Sequence, residues 1–217
     1  MATAQVIIDK AETILQDEAN DRWSEAFLLS CVSEGQREIV RAKPDANPLI
    51  SVERLSSGIW QDLPSASIQL LDVTCNMGIS GDAPGAAITM VDRKFMDTFS
   101  PTWRTDEDAD MTKHVIYDPK RLPRKFAVYP PSTGDGYIEM ITAVLPVDLQ
   151  LSSSTLEHGT YDVALLYYVL FRAYAIDAEY AGAAQLAQTY RDAFLHSLGM
   201  RDQIEKTVTP LRNAEVS

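Results

Sequence analysis

Residues 160–199, TYDVALLYYVLFRAYAIDAEYAGAAQLAQTYRDAFLHSLG, decide the fold. Their pattern predicts two helices in a hairpin with its tip around 179–182. The first helix, 161–178, is apolar on nearly every face, so in a protein surrounded by water it must be covered on every face. The second, 183–198, is amphipathic, with apolar side chains near i, i+4, i+7, i+8 and i+12. We therefore expect the first helix to lie at the centre of a helical core.

The ends of this hairpin carry recognisable helix signals. Thr160 is a candidate N-cap, and Asp162 lies in the first turn, where the helix dipole favours a carboxylate. Gly199 stands where a residue of positive φ commonly ends a helix. We therefore predict that the second helix ends at Gly199 and that 200–207 continue as a further helical piece.

The N-terminal segment predicts a second helical pair. A first helix covers 6–18, and a second begins after Trp23 with Ser24 as its N-cap, Trp23 packing over its first turn as a hydrophobic staple. This second helix stops near Arg41 and Pro44. Neither the N-terminal pair nor the C-terminal hairpin has a partner of its own, so we expect the two to pack as a four-helix bundle.

The middle of the chain has short apolar runs and most of the prolines, which is typical of strands. We expect 125–129 and 137–143 to form a hairpin, 92–99 to form one short helix, and the glycine-rich segment 78–85 to be a mobile loop. The candidate strands are 50–55, 68–76, 87–91, 114–118, 125–129 and 137–143.

The predicted fold class is therefore α+β. A bundle built from 1–43 and 151–207 carries a β-rich insertion, 44–150, and an extended tail, 208–217. With 217 residues and 46% hydrophobic content, the chain is long enough to bury a substantial core.

The net charge of −12 argues against a generic nucleic-acid binder, which needs a basic face. Two interpretations remain open: the charge gives solubility, or it forms an acidic wall along a channel through which DNA slides without sticking. No apolar run approaches the ~20 residues that span a bilayer. The N-terminus lacks a signal-peptide pattern, so we expect Cys31 and Cys75 to be reduced and the protein to be made in a cytoplasm.

Two loops of opposite charge lie in the insertion. One is acidic around Asp106, Glu107 and Asp108, and the other is basic around Lys120, Arg121 and Arg124. Each could be an ordinary solvated loop, or the two could meet across neighbouring subunits of an oligomer and set its register. The basic loop could instead contact DNA phosphates.

The sequence predicts no catalytic residue, metal site or cofactor. None of His114, His158 and His196 has a second His or Cys at ligand spacing. No G-x-S-x-G elbow precedes a helix, and the glycines of 78–85 lack the lysine and the strand–helix frame of a phosphate loop.

Three stretches in order along the chain resemble head-to-tail adaptor (connector) proteins of short-tailed bacteriophages. They are DEANDRWSEAFLLSCVSEGQREIVRAKPDAN (17–47), FAVYPP (126–131) and RAYAIDAEYAGAAQLAQTYRDAFLHSLG (172–199). None is a chemical signature by itself, and their order and spacing carry the resemblance.

The resemblance implies a structural, non-enzymatic virion protein at the head–tail junction, assembled in the host cytoplasm. It would form a homo-oligomeric ring of about twelve copies below the portal protein, extend the DNA channel and meet the tail nozzle protein. DNA would pass without sequence-specific binding, no membrane is involved, and tail fibres are a further candidate partner.

The residues after 207 allow two interpretations. Pro210 prevents a regular helix, so the tail could simply be a frayed terminus. The resemblance implies instead that it grips the portal by folding on binding. Leu211 and Val216 would then be the apolar anchors, with Arg201 and Arg212 as polar contacts.

Three alternative functions remain open from the sequence. The chain could be a tail nozzle or tail-completion subunit that meets a different ring. It could be a virion-associated cell-wall hydrolase, which would need a cleft with two carboxylates, one of raised pKa. It could also be a cytoplasmic scaffold unrelated to phage.

Overall fold

The computed structural model describes residues 3–156, 160–177 and 181–208, with side chains described as far as Gly199. Contacts divide the chain into a helical unit, Met1–Ala42 with Pro146–Ser217, and a β unit, Lys43–Leu145. The prediction of an α+β fold is confirmed. The elements are α1 (Ala4–Leu15), α2 (Glu25–Ala42), a 3-10 turn (Pro44–Ala46), β1 (Pro48–Arg54), β2 (Gly58–Asp62), β3 (Ser67–Asn76), β4 (Thr89–Val91), α3 (Arg93–Phe99), β5 (His114–Tyr117), β6 (Lys125–Ser132), β7 (Tyr137–Val144), α4 (Asp162–Ile176) and α5 (Ala183–Val208).

The helical unit is organised around α4, which packs against α1, α2 and α5. Its buried residues are Ala164, Leu165, Tyr168, Val169, Leu170 and Ala173. Val163 and Ile176, near its two ends, are 58% and 57% exposed. The expectation that α4 is covered on every face is therefore met in the middle of the helix and wrong at both ends.

Close packing joins α2 to α4. A Cβ atom at Gly35 of α2 would lie 3.0 Å from Cδ1 of Tyr168, so the absent side chain lets the tyrosine ring lie against the helix backbone. Arg172 of α4 forms an ion pair with Glu34 of α2. The indole N–H of Trp23 donates to the Ala173 carbonyl at 3.2 Å, which fixes the start of α2 to the end of α4.

Several predicted helix ends are corrected. Ser24 is confirmed as a cap, since its Oγ accepts from the Phe27 N–H at 3.3 Å. Tyr161, not Thr160, occupies the N-cap position of α4. Helix α5 continues through Gly199 to Val208, so the prediction that it ends at Gly199 is wrong; helix-forming residues flank this glycine, which alone costs only about 1 kcal/mol. Half of the predicted hairpin tip of 179–182, namely 179 and 180, lies outside the described residues, as does the predicted tail of 208–217 from 209 onward.

The β unit contains two sheets that share one core. The strand orders are β1-β7-β3 and β2-β6-β5-β4, and within them only β4 and β5 are parallel. Side chains from both sheets meet in a core made of Leu55, Leu63, Leu70, Val73, Ile88, Val115, Phe126, Val128, Ile138 and Met140. A smaller cluster lies where α3 packs, and it contains Met96, Trp103, Ile116 and Ala127. The predicted short helix is therefore confirmed as α3.

The predicted hairpin of 125–129 with 137–143 is wrong. The two segments are strands β6 and β7, but β6 pairs with β2 and β5 while β7 pairs with β1 and β3. Three consecutive residues of β6, Phe126, Ala127 and Val128, are buried, whereas β7 alternates between buried and half-buried positions. A strand covered on both faces belongs in the middle of a sheet with layers on each side, and β2, which the sequence did not predict, supplies its outer neighbour.

The first and last strands of the β unit pair with each other. The antiparallel β1–β7 ladder runs from Pro48 opposite Ala143 to Arg54 opposite Tyr137. Just before it, Asn47 Nδ2 donates to the Val144 carbonyl at 2.9 Å, and the Val144 N–H donates to the Asn47 carbonyl at 3.2 Å. The chain therefore enters and leaves the β unit side by side.

Replacing Gly136 with alanine should destabilise the β unit, because the added Cβ would lie 2.2 Å from the carbonyl oxygen of Asp110. Overpacking of this kind costs about 1–3 kcal/mol. The same change at Gly199, where a Cβ meets nothing within 4 Å, should stabilise α5 by up to about 1 kcal/mol. Urea denaturation measures both free energies of unfolding. An unchanged midpoint for Gly136→Ala would contradict the close contact with Asp110.

Candidate assembly surfaces

A cleft of about 450 Å³ lies in the β unit where β4 and β5 end. Five of the chain's 19 lysines and arginines line it, namely Arg93, Lys94, Lys120, Arg121 and Lys125. Its apolar lining includes Ile116 and Trp60, and the Trp60 side chain is 53% exposed. In a chain of net charge −12 this concentration of cations is unusual. We call it the basic cleft.

The carboxylates of the basic cleft are already engaged. Asp92 caps α3 by accepting from the Lys94 N–H at 2.6 Å. Asp118 accepts from the backbone N–H groups of Lys120 and Arg121 and, at 3.0 Å, from the Arg121 guanidinium. Lys125 pairs with Asp62, outside the lining, at 2.8 Å.

Two cations of the basic cleft remain available. Across the part of the chain that the structure describes, neither the Lys94 nor the Lys120 ammonium group has an ion-pair partner. Because five cations and only two carboxylates line it, the basic cleft carries a net positive charge.

Arg124 lies outside the basic cleft, although the sequence groups it with Lys120 and Arg121. Its guanidinium donates to the carbonyl oxygens of Leu63, Pro64, Ser65 and Ser67, the closest of which is Ser67. Arg124 thus ties the loop before β3 to the start of β6. Its assignment to a subunit interface stays a prediction, while Lys120 and Arg121 do line the basic cleft.

The acidic loop, which we call the acidic segment (105–110), is held at several points. Asp106 accepts from the Tyr129 hydroxyl at 3.0 Å, while Glu107 and Asp108 are exposed. Before the segment, Asp97 of α3 accepts from the Trp103 indole at 3.0 Å. Within the segment, the Ala109 N–H donates to the Pro131 carbonyl at 2.8 Å. These contacts leave the side chains of Glu107 and Asp108 presented outward.

The two charged loops lie at opposite ends of the four-stranded sheet. Strand β5 runs towards the basic cleft, and β6 begins beside the cleft at Lys125 and returns in the antiparallel direction. The acidic segment meets the other end of β6, where Ala109 forms a bridge to Ser132. The loops that the sequence pairs by charge therefore do not meet within one chain.

Sequence reasoning missed two exposed apolar surfaces. On α3, the rings of Phe95 and Phe99 lie 4.5 Å apart, and Phe99 is 74% exposed. On the outer face of the three-stranded sheet, Ile50 is 64% exposed beside the less exposed Val52. Large apolar side chains grouped on a surface mark contact sites. The i, i+4 spacing of the two phenylalanines on a short helix was the available signal.

The predicted portal-binding residues fall at the edge of what the structure describes. Arg201 lies in α5, but only its backbone is described, and Leu211, Arg212 and Val216 are outside the described residues. Their role stays a prediction.

The described residues offer little for catalysis. Among them, no group of three or more His, Cys, Asp and Glu side chains could hold a metal ion. Burial raises the pKa of the Cys31 thiol to about 11, so it is protonated at neutral pH and a poor nucleophile. His158 lies outside the described residues. No helix in the described ranges is long and apolar enough to cross a membrane.

Comparison with known proteins gives one family. The family model described as SU10 adaptor protein matches residues 2–214, which include nearly all of both units. Among curated proteins, the comparison finds no match to this chain.

Replacing Asp97 with asparagine should lower stability at neutral pH. Hydrogen bonds from Trp103 and Arg104 hold the pKa of the Asp97 carboxyl below its usual range. The resulting stabilisation is complete above the unfolded-state pKa of about 3.9 and is lost as the pH falls through the lower folded-state value. Urea midpoints of wild type and variant should therefore differ at pH 7, and the difference should shrink as the pH falls below the unfolded-state value and Asp97 becomes protonated in the folded protein.

The matched control is Asp108→Asn, which removes an exposed carboxylate that accepts neither of these hydrogen bonds. A midpoint difference for Asp97→Asn that stays constant with pH would show that the charge on Asp97 contributes nothing.

Proposed function

The chain belongs to the SU10 adaptor protein family, a family of bacteriophage adaptors, and on that premise we propose that it forms the ring joining the portal to the tail nozzle. The ring contains about twelve copies, lies at the head–tail junction and extends the channel through which DNA leaves the head. The observation that carries the proposal is the family match across 2–214. Membership in this family implies assembly with other virion proteins such as the portal and the tail.

The parts of the chain suit a geometric task. Helices α1, α2, α4 and α5 act as a four-helix bundle, a rigid wedge whose core helix is α4. The β unit supplies contacts to neighbouring copies and to the nozzle. The segment after α5 grips the portal through Leu211 and Val216, with Arg201 and Arg212 as polar contacts. The net charge of −12 keeps the ring from binding the DNA that passes through it.

A hydrolase function has less support. A general acid of the glycosidase type needs a carboxyl group of raised pKa. The pKa values of the Asp17 and Asp97 carboxyl groups are instead lowered. Hydrogen bonds from Trp23 to Asp17 and from Trp103 to Asp97 stabilise the charged forms. A nozzle or tail-completion role would use the same surfaces on a different ring, and the experiment below separates it from the adaptor role.

The proposal is tested by measuring particle mass by light scattering, for the chain alone and after mixing with the portal ring of the same virion. We expect a monomer that joins the portal as a multi-copy ring. A stable monomer that does not bind the portal would exclude the adaptor role and leave the nozzle role.

Variants of the terminal segment test its proposed contact with the portal directly. The pair Leu211→Ala and Val216→Ala should abolish joining to the portal, because it removes both apolar anchors. The pair Asn213→Ala and Glu215→Ala, in the same segment, is the matched control and should join like wild type. Equal binding by the two double variants would show that these anchors are not used.

A further inference from the structure

We propose that the basic cleft receives the acidic segment (105–110) of a neighbouring copy, so that copies join head to tail through their β units. The inference deepens the proposed ring function and rests on it. The occupant of the cleft is a second copy of this chain, and the acidic segment of each copy binds the cleft of the next.

The first argument is charge complementarity. Lys94 and Lys120 lack ion-pair partners among the described residues, and Asp92 and Asp118 in the same lining are taken up by internal donors. The cations of the cleft lining outnumber its carboxylates five to two, and Lys94 and Lys120 are the two without an ion-pair partner. The acidic segment offers the converse, two exposed carboxylates on Glu107 and Asp108.

The second argument is placement. The cleft and the acidic segment are at opposite ends of one sheet, joined by the antiparallel strands β5 and β6. Complementary surfaces that cannot meet within a chain can meet between chains. A contact between different surfaces of identical subunits generates a closed ring when the rotation between copies closes. The sheet thus carries both halves of a ring contact.

The third argument is preorganisation. The acidic segment is fixed before binding by Asp106 with Tyr129 and by the Ala109 backbone on β6, and Asp97 with Trp103 holds the chain just before it. A segment that is already ordered loses little conformational freedom when it binds. Trp60 in the cleft and Met111 after the segment are each 53% exposed, so the two surfaces also offer apolar contact.

Duplex DNA fits the basic cleft less well. Backbone binding needs a basic face long enough to neutralise several phosphates. Here the cations line a concave site of about 450 Å³, in a chain of net charge −12. A short acidic peptide matches the size and chemistry of this site better.

The test uses two charge-reversal variants of the full chain. The cleft variant carries Lys94→Glu and Lys120→Glu, and the segment variant carries Glu107→Lys and Asp108→Lys. Each variant alone places like charges at every contact, so we expect roughly tenfold or greater weakening of ring formation on the portal. Mixed in equal amounts, the two variants can alternate around the ring with every contact complementary. Of the three variant samples, mass photometry should therefore show rings only in the mixture, and those rings should contain an even number of copies.

A control variant, Lys10→Glu with Arg191→Glu, makes the same change in net charge as the cleft variant, at exposed positions of the helical unit. It should assemble like wild type. Thermal unfolding of every variant checks that the fold is kept. The fluorescence of Trp60 is a second readout, since Trp23 and Trp103 are buried. Its emission should shift to shorter wavelength in wild-type rings and in the mixture, and Trp60→Phe should remove that shift.

The outcomes separate this inference from the proposed function. If wild type does not join the portal, the ring function itself is wrong. If wild type joins and either charge-reversal variant alone joins equally well, the inference is wrong and the ring function stands. If both variants fail and the mixture also fails, the acidic segment is not the occupant of the cleft. A cleft variant that still assembles but loses DNA binding would assign the cleft to phosphate instead.

Discussion

The pairing of β1 with β7 is the constraint on which the rest of this structure depends. This pairing joins the first and last strands of the β unit, and Asn47 and Val144 are hydrogen-bonded to each other beside the ladder. Because the chain leaves and returns at one place, a long insertion can separate α2 from α4 in sequence without preventing their contact at Gly35 and Tyr168. Strand β7 also pairs with β3 and contributes Ile138 and Met140 to the shared core, so the same strand that closes the unit stabilises both sheets.

The four-stranded sheet holds the two charged loops at its opposite ends. Exposed ion pairs contribute little to affinity on average, but charges fixed at the two ends of a rigid element select partner and register. The apolar side chains of Phe99 and Ile50 can supply the buried area that electrostatics alone does not. The net charge of −12 opposes association of copies in any orientation that does not bring opposite charges together.

Local patterns in the sequence predicted local structure well. The uniform apolarity of 163–171 identified the core helix, and the short helix predicted at 92–99 is α3. Long-range strand pairing was not predictable in the same way. A glycine-containing turn between two strands favours a hairpin of β6 with β7. In the structure Phe126, Ala127 and Val128 bury both faces of β6, which lies in a different sheet from β7. In the sequence Arg124 resembles the other cations of its loop, and only the folded chain shows its guanidinium bound to backbone carbonyls. The clusters of charge in the sequence identified both loops. Only the strand directions in the structure show that the loops lie at opposite ends of the four-stranded sheet.

The central claim is that this chain works by assembly, through surfaces held at the two ends of its four-stranded sheet. A cryo-electron microscopy reconstruction of the wild-type chain bound to its portal ring tests that claim most directly. We expect a closed ring in which each basic cleft contains Glu107 and Asp108 of the adjacent copy. A ring whose clefts face solvent or the DNA channel, with the acidic segments elsewhere, would contradict it.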